Sequence, residues 1–162
     1  MSSNSILELP SLPNASVPSN AGRRVPDTNT FLIIATINEP MERYNLGRTI
    51  LQTQAQLRSF IEAHNAKDTS LAVRDDPYES DLRWEGCYFG VAEFPVGTRL
   101  MTYGIVYNVL EGLRLWLYMD RNNKRAVFEV RDEQFGMIGM GTISPHPPPP
   151  KSTGATHNVA SS

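Results

Sequence analysis

The sequence predicts an α+β fold: two helices packed on one face of a small, mostly antiparallel sheet, in the element order β-α-β-α-β-β. Three observations predict it. Two long stretches, beginning at Leu46 and at Thr102, place apolar residues at helical spacing. Short runs rich in β-branched and aromatic residues precede, separate and follow them. The last two runs form a hairpin instead of alternating with helices, which points away from a parallel βαβ sheet.

The first run, "FLIIATI" from Phe31 to Ile37, is apolar on both faces, as suits a strand inside a sheet, and Asn38-Glu39-Pro40 ends it. From Leu46 to about Asn65 the period changes. Leu46, Ile50, Thr53, Leu57, Phe60, Ile61 and His64 fall on one side, with Arg48, Gln52, Gln56, Arg58 and Glu62 away from it. Asn45 is the expected N-cap. A loop follows, with a short strand expected around Leu71 to Val73. The next strand spans about Cys87 to Phe94, with Gly86 at a bend. After the second helix, Lys124 to Arg131 alternates, "DEQFG" turns, and Met137 to Ile143 returns.

These elements place a single domain over residues 30–144. Residues 1–29 and the Pro-rich 145–162 carry mostly Ser, Asn, Pro and Thr; they read as disordered tails, because such composition cannot offset the entropy of ordering.

A formal net charge of −2 with no Lys/Arg cluster argues against nucleic acid as a partner. One cysteine, Cys87, excludes an internal disulfide and a multi-cysteine zinc site. No basic-then-apolar leader opens the sequence, so a soluble, intracellular protein of unspecified compartment is expected. No cofactor and no metal are expected.

The stretch "MTYGIVYNVLEGLRLWLYM", Met101 to Met119, is apolar enough to raise a membrane span. Glu111 and Arg114 near its middle argue against one. At 100° per residue, Ile105, Val106, Val109, Leu110, Leu113, Trp116 and Leu117 form the core stripe. Thr102 caps the start, and Asp120 with Asn122-Asn123 ends it. On the other flank stand Tyr103, Tyr107, Glu111, Arg114 and Tyr118. Tyrosine offers rigid contact area with a polar tip, and Tyr and Arg dominate interface hot spots. This flank is therefore either a protein interface or a roof over the core, beneath the first helix or beneath the loop from Ala66 to Asp81.

Other motifs carry less. "GMIGMG", Gly136 to Gly141, lies in the last strand and does not open a helix, which argues against phosphate binding. Gly139 and Gly141 instead suggest a close approach, with Trp116 as the expected neighbour. His64 and Cys87 could in principle make a thiolate–imidazole pair, without support from spacing. Asp75, Asp76, Glu79, Asp81 and Glu85 lack the alternation and the Gly of a calcium loop. Pro145 to Pro150 favours polyproline II and offers PxxP spacing for SH3- or WW-type docking, as a spacer or low-affinity ligand.

Two functions of different class follow from these residues. One is a non-catalytic module that binds a protein partner, or itself, through the Tyr/Glu/Arg flank or an exposed sheet edge. The alternative is a small enzyme, or an apolar-ligand-binding domain, with a pocket near Trp84, Cys87 and Gly139.

The stretch from Met101 to Ile143, with its T-Y-G helix start, its "GLR" core, its "AVFEVRD" strand and its closing G-x-G, resembles small proteins of filamentous fungi. The resemblance covers the last third of the folded region. It implies a fungal source and brings no function, catalytic residue or binding residue with it.

Overall fold

The computed structural model describes residues 22–81, 86–94 and 99–149. Six strands make one antiparallel sheet: β1 (Arg23–Arg24), β2 (Thr30–Pro40), β3 (Tyr78–Glu79), β4 (Tyr88–Glu93), β5 (Lys124–Asp132) and β6 (Gly136–Ser144). Their spatial order is β1-β2-β5-β6-β4-β3. Helix α1 (Arg43–His64) joins β2 to the middle of the chain; α2 (Tyr103–Leu113) follows β4 and continues as a π-helical turn, Arg114–Met119. The α+β class, with two helices on an antiparallel sheet, is the one the sequence predicts.

Local chemistry explains most boundaries. Helix α1 starts earlier than the sequence suggests, because the Glu42 carboxylate accepts the Asn45 N–H at 2.8 Å and so caps it in place of Asn45. It stops at Asn65, which takes the left-handed conformation with φ 51°. Helix α2 begins as expected, Thr102 Oγ1 accepting the Ile105 N–H at 3.2 Å. The strand expected at Leu71 to Val73 is instead a 3₁₀ turn, Val73–Asp75. β1 and β3 have no counterpart in the sequence reading, since two residues are too short to show a period. β1 also moves a boundary: Arg23 and Arg24 pair with Leu32 and Phe31, and the adjoining Val25 is buried in the core. Residues 22–29 thus belong to the folded unit, although their composition reads as tail.

Alternation divides the sheet. Leu32, Ala126, Phe128, Val130, Phe89 and Ile143 are buried, facing Leu46, Ile50 and Leu57 of α1 and Val106, Leu110 and Leu113 of α2. Full burial contributes roughly 1.5–3 kcal/mol for each such large side chain. The two rings at the sheet centre, Phe89 and Phe128, stack with centroids 6.2 Å apart.

Candidate functional site

The phenolic flank of α2 does not look into solvent; it forms the seam against α1. Tyr103 is 4% exposed, its hydroxyl donating to Asp75 Oδ2 at 2.7 Å and accepting the Ala72 N–H at 3.2 Å. The hydroxyl of Tyr107 accepts from Arg58 of α1. The amide of Gln54, buried in α1, donates to Glu111 Oε1 at 3.1 Å, and Arg114 grips both oxygens of the same carboxylate. Tyr118 lies flat against Gly47, where its ring leaves no room for a Cβ, and the Arg43 guanidinium stacks on that ring at 4.1 Å. Of these five residues Tyr103 is buried and the other four are half-buried. The cause is that the sheet takes one side of α2 and α1 takes the other. That arrangement holds Glu111 ionised; the Arg114 hydrogen bonds keep its carboxyl below the ordinary carboxylate range.

The remaining candidates are placed as follows. Cys87 is buried; its thiol contacts Met41 Sδ at 3.7 Å, and burial pushes it up to about 11. Thr49 Oγ1 donates to the Cys87 carbonyl at 3.0 Å. His64 lies fifteen residues further along the same helix, exposed and against Phe60, so roughly 22 Å of helix rise separates it from Thr49 and from Cys87. The structure does not bring thiol and imidazole together. Trp84 and Glu85 lie outside the described residues. Gly139 is approached by Met101 Cε, which occupies the place a Cβ would take, and Gly141 by the Phe128 ring and the Gly90 carbonyl, both at 2.5 Å from its would-be Cβ. Trp116, the expected neighbour of these glycines, packs over Gly112 instead. Asp76 Oδ1 accepts the Glu93 N–H and Glu79 Oε2 accepts the Tyr88 hydroxyl, so these carboxylates hold the β3–β4 corner. Among the described residues no group of three or more His, Cys, Asp or Glu could hold a metal ion, and no helix is long and apolar enough to cross a membrane. Pro145 to Pro149 turn back beside Tyr88 and Thr142 at the end of β6, where they help line a depression of about 240 Å³. Pro150 lies outside the described residues.

Sequence reasoning did not single out the side of the sheet opposite the helices. No described helix covers it, and Ile37, Val127 and Met140 stand there at 42%, 41% and 51% exposure, with Ile33 and Ala35 half-buried on β2 and Glu129 between Ile33 and Met140. The face continues around the edge of β2. β1 pairs only with Phe31 and Leu32, so no described strand lies beside Ile34 to Ile37 on that side. On the helix side of that same edge a cleft of about 110 Å³ opens, lined by Arg23, Leu32, Ile34, Thr36, Trp116 and Asn122. The signal is present in "FLIIATI": both faces of that strand are apolar, and α2 covers only one of them.

No family model, curated protein or solved structure matches this chain.

Proposed function

We propose that the protein is a non-catalytic module that binds another protein through the side of the sheet its helices leave uncovered. The observation that carries the reading is the set of outward apolar side chains, Ile37, Val127 and Met140, on a sheet face that no described helix covers. Contiguous exposed apolar surface of this kind marks a contact site when polar residues rim it. Arg125 with Glu39, paired at 3.0 Å, borders this surface, and Glu129, paired with Arg131 at 3.0 Å, stands within it between Ile33 and Met140. The phenolic seam complements this surface, since by fixing α1 on α2 it keeps both helices on one face.

The test is a selection of displayed protein fragments on the full chain, followed by rebinding to Val127→Lys with Met140→Lys. Both positions are exposed, so the fold is expected to survive. Enriched fragments should lose at least tenfold in affinity for the double variant and keep it for Gln52→Lys on the exposed side of α1. Fragments that bind both variants alike, or no enrichment at all, would count against the reading.

A further inference from the structure

Resting on that binding reading, we propose that the open edge of β2, from Ile34 to Ile37, takes an extended peptide of the partner as an added strand, apolar at alternate positions and acidic at its ends.

The backbone requires it first. β2 runs eleven residues, β5 pairs with its inner side from Thr30 to Thr36, and β1 covers the outer side only at Phe31 and Leu32. Beyond that point every second residue directs an N–H and a C=O away from β5 with no described strand to receive them. Strand addition satisfies such a row, and pockets for alternate side chains give it selectivity.

Side chains define the ligand further. A strand laid beside β2 would send alternate side chains to opposite faces of the sheet. One set would enter the cleft between Ile34, Thr36 and Trp116, whose 110 Å³ suits a branched aliphatic group. The other set would lie next to Ile33, Ala35 and Ile37, continuous with the uncovered face. Charge sets the ends. Arg23 stands at one end of the cleft over the Trp116 ring at 5.5 Å, held only by a loose 3.8 Å contact to Asp120. Lys124, paired in register with Pro40 toward the other end of β2, is exposed and without an ion-pair partner among the described residues. A carboxylate on each end of the peptide meets them.

Register excludes a second copy as occupant. Arg23 pairs with Leu32, so Gly22 stands opposite Ile33, where its Cβ position is 3.4 Å from Ile33 Cγ1. Two β2 strands paired antiparallel over Ile34 to Ile37 would drive the copy's Asn38 into Gly22. A peptide that ends opposite Ile34 and runs on toward Pro40 has no such continuation.

The probe is a blocked synthetic heptapeptide, Asp-Val-Thr-Val-Thr-Val-Glu, titrated into the full chain and followed by amide NMR and hydrogen exchange. Saturable binding should shift the amides of Ile34 to Ile37 and slow exchange at least tenfold at Ile34 and Thr36, whose N–H groups face away from β5. Thr36→Lys, which fills the cleft from an exposed position, should weaken binding at least tenfold, as should replacing the two terminal acids by lysine. Val127→Lys with Met140→Lys lies outside the cleft and should change it less than threefold. Absence of binding, or shifts confined to other strands, overturns the proposal; fragments that still bind through Val127 and Met140 would leave the module reading intact. Slow exchange at Ile34 and Thr36 before any peptide is added also overturns it, since the edge would then be occupied already.

Discussion

Gln54 of α1 and Glu111 of α2 share a hydrogen bond of 3.1 Å, a side-chain link between the helices that joins a buried amide to a charged carboxylate. It locates the flank of α2 that carries the tyrosines: against another helix, with its polar tips answered from within the fold.

The carboxylate gives a pH signature. Its folded-state pKa is lowered, chiefly by Arg114, so the stability it contributes is present above the unfolded value of about 4.3 and is lost as pH falls through the folded one. Glu111→Gln should therefore lower the thermal midpoint at pH 7, and its midpoint should fall less than that of the wild type between about pH 5 and pH 3. Parallel curves for the two proteins would show that the carboxylate is not engaged.

Tyr103 is expected to matter for its hydroxyl alone. Tyr103→Phe keeps the ring against Phe60, 4.8 Å away by centroid, and strands the Asp75 carboxylate and the Ala72 N–H. The loss should be about 1–2 kcal/mol, read as a lower urea midpoint at unchanged slope.

The glycines of β6 separate two causes of cost. At Gly141 a methyl group would collide with the Gly90 carbonyl and the Phe128 ring, and neither can yield without disturbing the sheet centre. Gly141→Ala should cost about 2–3 kcal/mol. Gly136 has nothing within 4 Å but holds φ at +77°, so Gly136→Ala should cost about 1 kcal/mol through backbone strain alone. Equal unfolding midpoints for the two variants would remove that distinction.

Cys87 should be inert while the chain is folded. Its thiol is buried and raised to about 11, so labelling by a disulfide reagent at pH 8 should follow the rate of unfolding across denaturant. Rapid stoichiometric labelling in native buffer would contradict its placement.

Much of the fold is legible in the residues themselves. Leu46, Ile50, Thr53 and Leu57 are buried along α1 as their spacing predicts, and Ala126, Phe128 and Val130 alternate inward along β5. His64, on the same helical stripe, is exposed because the helix outruns the core at its last turn. The tyrosine flank is harder. Helical projection shows which residues share a side, and it does not show what lies beside that side. A clue exists in composition: α2 and its π turn hold only Glu111 and Arg114 as charged residues, and a helix so poor in charge is enclosed on both sides. Trp116, on the π turn, lines the β2 cleft, and Met101 takes the place beside Gly139. β1 is beyond reach for a different reason, since its two arginines are held by pairing with β2 and no local pattern marks them.

Hydroxyl-radical footprinting of the full chain tests the arrangement most directly, because the sequence contains matched pairs of residue type. Tyr44 is 68% exposed and Tyr103 4%; Met140 is 51% exposed and Met101 0%. Tyr44 and Met140 should be oxidised at least tenfold faster than Tyr103 and Met101, with Tyr107 and Tyr118 between. If Tyr103 were oxidised as fast as Tyr44 while Met140 matched Met101, the helices would lie on the wrong side of the sheet and the proposed binding surface would be the covered one.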